Sequence, residues 1–89
     1  MEISINKAGI MADHYIETAF LDTSGQKCPI PVIKARKLLK ALSVGDVLKV
    51  KTTDPLALID IPHMCNELKY QLLKTSRFED HNIFYVKKG

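Results

Sequence analysis

The feature that most limits how this chain can fold is a helix start built around a cysteine. In Gly25-Gln26-Lys27-Cys28-Pro29-Ile30-Pro31-Val32 the cysteine stands directly before one proline, and a second follows two residues later. The run after it has helical periodicity and no glycine until Gly45. Proline suits the first turn of a helix, because the N–H it lacks would have no intrahelical partner there. The spacing therefore predicts Pro29 and Pro31 within the first turn and Cys28 at or just before the N-cap. A thiol in that place meets the positive end of the helix dipole and unpaired amides. Lys27 adds a cation beside it. All of these favour a thiolate, so the sequence predicts a Cys28 pKa below the free value of about 8.5.

The rest of the chain sorts by periodicity. Residues 1–13 alternate weakly and read as a flexible N-terminal extension or a short extra strand, with Met11 an alternative start. His14 to Asp22 alternates and carries β-branched and aromatic residues, which predicts a strand. Asp22-Thr23-Ser24-Gly25 predicts a turn. Pro29 to Leu42 is the first helix, with Val32, Ala35, Leu39 and Leu42 toward the core and Lys34, Arg36, Lys37 and Lys40 outward. Gly45 supplies the stop. Val47 to Thr53 is a second strand. Asp54 is read as an N-cap and Pro55 as the first helical residue after it, with Pro62 kinking or restarting that helix and Asp60 a second cap. Met64, Cys65, Leu68 and Leu72 give its buried stripe. A strand beginning somewhere after Gln71, a turn at Glu79-Asp80-His81-Asn82 and a strand from Ile83 to Lys87 complete the chain. A strand, crossover helix and strand should give a parallel pair, and the last two strands must be antiparallel. The expected fold is α+β, a two-layer α/β sandwich of βαβαββ order. Its mixed four-stranded sheet carries both helices on one face.

Composition excludes several classes. Eighty-nine residues, 46% hydrophobic and 26% charged, suit one soluble domain, placed here at 14–89. No apolar run approaches the roughly 20 residues of a membrane span. No basic segment followed by an apolar stretch opens the chain, so a cytoplasmic location is expected. Two cysteines are too few for a disulfide framework. His14, His63 and His81 form no ligand pattern with Cys28 and Cys65, so neither metal nor cofactor is expected. Cys65 lies on an apolar stripe and reads as a core thiol. A disulfide to Cys28 would need Cα atoms within about 7 Å and is not expected. The net charge is only +3, yet the stretch from Gly25 to Gly45 holds Lys27, Lys34, Arg36, Lys37 and Lys40 and no acid. That face fits docking of an acidic partner. Phe78, Phe84 and Tyr85 fall near the C-terminus rather than among these cations, so no direct nucleic-acid binding is expected.

Leu21-Asp22, Gly25 and Cys28-Pro29-Ile30-Pro31, followed by Asp54-Pro55 and Asp60-Ile61-Pro62-His63-Met64-Cys65, resemble the TusA/SirA-like sulfur-carrier family. Its hallmark is Cys-Pro-x-Pro at the first helix. The resemblance covers almost everything after residue 14, and it departs at His63, often a small residue, and in the first dozen residues. It implies a sulfurtransferase, or persulfide relay protein, that carries sulfane sulfur on Cys28. It further implies a cysteine desulfurase or other persulfide donor and a downstream acceptor protein, in one branch toward 2-thiouridine in tRNA. Other branches serve molybdenum cofactor or sulfur oxidation. Lys27, Pro29 and Pro31 would support the thiolate, Lys34, Arg36, Lys37 and Lys40 would dock partners, and a monomer is expected. Two other readings remain open: a non-catalytic module docking an acidic protein or RNA through its basic first helix, and a thiol redox sensor.

Overall fold

A computed structural model describes Glu2–Ile5 and residues 17–89. The elements run β1 (Glu2–Ile5), β2 (Ala19–Thr23), α1 (Ile30–Ala41), β3 (Val47–Thr52), α2 (Ala57–Leu68), β4 (Gln71–Arg77) and β5 (Asn82–Lys87). From β2 onward this is the expected βαβαββ order. Its four strands form a mixed sheet: β2 and β3 are parallel, β5 pairs antiparallel with β3, and β4 with β5. β1 adds a fifth strand, antiparallel to β2, and the sheet order is β1-β2-β3-β5-β4. Of the two readings for residues 1–13, Glu2–Ile5 realises the extra strand. The first three residues of the strand expected from His14 lie outside the described residues.

Register explains why this sequence makes this sheet. Directly paired residues share a face, so Leu21, Val50 and Phe84 form one row across three strands, and Ala19, Leu48 and Val86 another. All six are fully buried. Ala35 and Leu39 of α1 and Ala57, Ile61, Met64 and Cys65 of α2 close over these rows in one apolar cluster. A third row, Thr23, Thr52 and Asn82, is buried but polar. It lies at the C-terminal ends of the parallel strands, where the chain leaves the sheet for both helices. Thr23 Oγ1 donates to the Lys51 carbonyl at 2.7 Å, whereas Thr52 Oγ1 has no hydrogen-bond partner among the described residues. On the opposite face Lys49 Nζ sits 5.4 Å from the Phe20 ring centroid and 5.8 Å from that of Tyr85, and pairs with Glu17 at 3.6 Å.

Both helices differ from expectation at their starts. Pro29 is the N-cap of α1 rather than its first residue, and Pro31 is the buried proline. α2 runs unbroken through Pro62, so the expected restart does not occur. Pro62 is the sixth of the twelve residues of α2, and its missing N–H leaves the Leu58 carbonyl without its usual donor. Asp54 begins the turn into α2, with the Ala57 N–H on its carbonyl and the Leu56 N–H on Oδ1, both at 3.0 Å. α2 stops where Lys69 adopts a left-handed conformation at φ 61°, and β4 begins two residues later. Leu72 and Leu73 therefore belong to the strand, with a bulge between Leu72 and Lys74.

Two substitutions test this packing. Phe84→Ala should cost about 3–5 kcal/mol by emptying the centre of the core. Thr52→Val should instead stabilise the fold by about 1–2 kcal/mol, because it removes an unpaired buried hydroxyl at nearly constant volume. Urea denaturation of both variants measures the two signs.

Candidate functional site

Because β2 and β3 are parallel neighbours, the loops that follow them leave the same edge of the sheet side by side. The first loop turns on Asp22, whose Oδ1 accepts the Ser24 N–H at 2.9 Å, and on Gly25 at φ +80°. It is then tied to the second loop twice. Gly25 donates its N–H to Thr53 Oγ1 at 2.8 Å, and Cys28 donates its N–H to Asp54 Oδ2 at 2.9 Å. The Cys28–Pro29 peptide bond is cis. Cys28 is thus set where the two helix starts meet, partly exposed and packed against the core.

The electrostatics of the site run against a lowered thiol pKa. Burial first, and then a hydrogen bond to the Asp60 carboxylate, push Cys28 up to about 11. The charges of Asp60 and Asp54 act in the same direction. A thiol surrounded by carboxylates is favoured in its neutral form. Lys27, expected to support a thiolate, is exposed, and its charge is felt at Asp54 instead. That cation and the two backbone hydrogen bonds from Leu56 and Cys28 hold the Asp54 carboxyl below its ordinary range, the Leu56 bond most. Two amides of the α1 start are engaged away from the sulfur: the Ile30 N–H goes to the Lys27 carbonyl and the Ile33 N–H to the Pro29 carbonyl.

The predicted docking residues are spread over α1. Lys34 Nζ donates to Gln26 Oε1 at 3.0 Å, close to the cysteine loop. Arg36 is paired with Glu67 of α2 at 3.3 Å, so its charge is partly met. Lys37 and Lys40 are exposed, and Lys40 lies in the last turn, about 15 Å along the axis from Ile30. The end that carries the thiol is instead apolar at its surface: Ile30, Ile33, Leu56 and Ile59 are 41%, 54%, 55% and 67% exposed. Beside it a cleft of about 230 Å³ is lined by Pro29, Val32, Asp60 and His63 among others. Cys65 is free and buried, its thiol also raised to about 11 by burial. His14 lies outside the described residues, and His81 bonds Asp80 at 2.6 Å. Among the described residues no cluster of His, Cys, Asp or Glu could hold a metal ion.

Sequence reasoning took Asp54 and Asp60 for helix caps. Asp54 does turn the chain into α2, but it also accepts the Cys28 N–H, and the negative charge of Asp60 is felt at the thiol. The signal available was the return of an aspartate six residues after Asp54, in the first turn of α2.

Residues 19–88 match the family described as Sulfurtransferase TusA. The chain belongs to this family. Proteins named Sulfur carrier protein TusA in two strains of Pseudomonas putida are each 36% identical over 70 residues, spanning 79% of this chain and 88% of theirs. The fold is shared with the SirA-like protein of Desulfitobacterium hafniense, at a TM-score of 0.70 and 28% identity over 79% of this chain and 96% of that one. The matched span takes in Cys28, Asp54 and Asp60 and leaves out β1. This TusA-family chain therefore has its whole cysteine edge inside the shared region. Among the described residues no helix is long and apolar enough to cross a membrane.

The raised thiol pKa predicts slow alkylation. Ionisation centred near 11 leaves about one Cys28 in a thousand as thiolate at pH 8, and the rate should climb as pH rises toward 11. Buried Cys65 should react more slowly still. Iodoacetamide labelling across pH, read by peptide mass, measures both; a Cys28 midpoint near 8.5 or below would restore the original expectation.

Proposed function

We propose that this protein carries sulfane sulfur as a persulfide on Cys28 and passes it to a partner protein. The observation that carries the reading is the position of that sulfur. It is partly exposed at the meeting of two helix starts, within the region matching the TusA family. Cys65, the other thiol, is buried in the second helix and has no such access.

The chemistry follows from that placement. A thiol accepts sulfur by attacking the outer sulfur of a donor persulfide, and releases it when an acceptor thiolate attacks in turn. The sulfur must reach another protein, so a hinged pocket would be an obstacle and an exposed edge is an advantage. Ile30, Ile33, Leu56 and Ile59 supply an apolar rim against which a partner can exclude water around the reacting atoms. Lys27, Lys34 and Arg36 lie near this rim, whereas Lys37 and Lys40 extend the basic surface along α1. The donor in this reading is a cysteine desulfurase or another persulfide protein. The acceptor is a thiol protein, in one branch leading to 2-thiouridine in tRNA. A reducing cytoplasm suits a carrier whose cargo-bearing cysteine must return to the thiol after each cycle.

Incubation with a cysteine desulfurase and cysteine, followed by intact mass, tests the proposal. The mass should rise by one sulfur, the gain should persist in Cys65→Ser, and it should vanish in Cys28→Ser. Equal loading of Cys28→Ser and the unaltered chain would end the reading.

A further inference from the structure

Cys28 lies between elements. β2 ends at Thr23 and α1 begins at Ile30, so neither a strand ladder nor a helix fixes the backbone of the cysteine. The residues that follow offer it little support. Pro29 has no N–H, and the Ile30 N–H turns back to the Lys27 carbonyl. The Cys28 amide is held instead by a side chain from the next loop. Asp54 Oδ2 accepts its N–H at 2.9 Å, across 26 residues of chain. The other oxygen, Oδ1, accepts the Leu56 N–H at 3.0 Å. One carboxylate thus serves both amides, one on each oxygen. Further back in the same loop, the Gly25 N–H is held on Thr53 Oγ1 at 2.8 Å.

This double use asks more of residue 54 than the turn into α2 does. The turn needs one acceptor for the Leu56 N–H, and serine or asparagine would supply it as aspartate does. Serving the Cys28 N–H as well takes a second acceptor on the same side chain. Serine has a single oxygen, and the second polar atom of asparagine is an amide nitrogen that donates. We propose that Asp54 is a positioning residue for sulfur transfer: by holding the Cys28 amide it sets where Sγ stands when a donor persulfide arrives. The inference rests on the carrier reading of Cys28. Attack on the donor's outer sulfur needs Sγ close to that atom and aligned with the S–S bond that breaks. Sγ hangs from the backbone through Cβ alone, so a displaced Cys28 backbone displaces the sulfur nearly as far. A misplacement of about 1 Å is enough to slow such a step about a hundredfold. Leu56, whose side chain is 55% exposed on the apolar rim, hangs on the same carboxylate. The surface that a partner meets and the cysteine that it must reach are therefore held in one frame.

The test rests on Asp54→Ser, which keeps an acceptor for the Leu56 N–H and cuts only the tether to the cysteine. Its thermal midpoint should stay near that of the unaltered chain. Thr53→Val is the comparison, since it removes the Gly25 tether and leaves the Cys28 amide on Asp54. The first readout is hydrogen exchange of the Cys28 amide by NMR, which should speed up about tenfold in Asp54→Ser. The second is the kinetics of sulfur loading from a cysteine desulfurase and cysteine, with the carrier concentration varied. In Asp54→Ser kcat should fall by about ten- to a hundredfold, while the KM for the carrier stays within about twofold. Thr53→Val should lose less kcat, and Asp54→Glu, which keeps two acceptor oxygens, should recover part of the loss. A role in stability alone would move the thermal midpoint and leave kcat, and a role in docking would raise KM. The proposal is overturned if Asp54→Ser keeps the unaltered kcat, if its loss falls on KM alone, if Thr53→Val loses as much, or if the Cys28 amide exchanges at the unaltered rate. Failure of the unaltered chain to load would instead sink the carrier reading, and amide exchange would still report whether Asp54 holds the cysteine.

Discussion

The cysteine site depends on a pair of hydrogen bonds between two loops. Gly25 binds the Thr53 hydroxyl and Cys28 binds the Asp54 carboxylate. These loops can meet only because β2 and β3 are adjacent and parallel, so that both chain crossings leave the sheet in the same direction. The Leu21–Val50–Phe84 row sets that neighbourhood by burying one face of three strands. Its polar extension, Thr23–Thr52–Asn82, sits at the rim where the loops depart. Core packing, loop tethering and thiol placement are thus successive layers of one arrangement. Asp54 is the residue at which they join, since the same carboxylate turns the chain into α2 and fixes the backbone of the cysteine.

Much of this was legible in the chain. Alternation over His14 to Asp22 and over Val47 to Thr53 marked two strands, and the turn at Glu79-Asp80-His81-Asn82 set off the last one, Ile83 to Lys87. Helical spacing of Ala35 and Leu39 marked α1, and Gly45, at φ +93°, marked the turn after it. The prolines announced both helix starts to within a residue or two. Pro62 misled because it deprives a single carbonyl, that of Leu58, of its usual donor, and α2 continues on both sides of it.

The site was half legible, for a reason rooted in distance along the chain. Cys28 could be singled out from its immediate neighbours. Its protonation could not, because burial comes first and the elements that bury it, like the charges that follow, arrive from across the fold. Asp54 lies 26 residues downstream and Asp60 further still. Sequence adjacency made Lys27 look like the dominant charge. In three dimensions the charge of Lys27 is felt at Asp54, and the charges felt at the sulfur are those of Asp60 and Asp54. The basic helix face suffered from the same projection. Its cations are close in sequence, but α1 carries Lys40 to the far end of the molecule, and the surface actually beside the thiol is aliphatic.

The short strand Glu2–Ile5 changes the exposure of everything behind it. With β1 in place, β2 is an interior strand and presents no open row of amides and carbonyls. A chain shortened past Ile5 would bare that row, and a bare strand edge is a template for another polypeptide. The segment outside the family match thus covers the free edge of the strand that delivers the reactive loop.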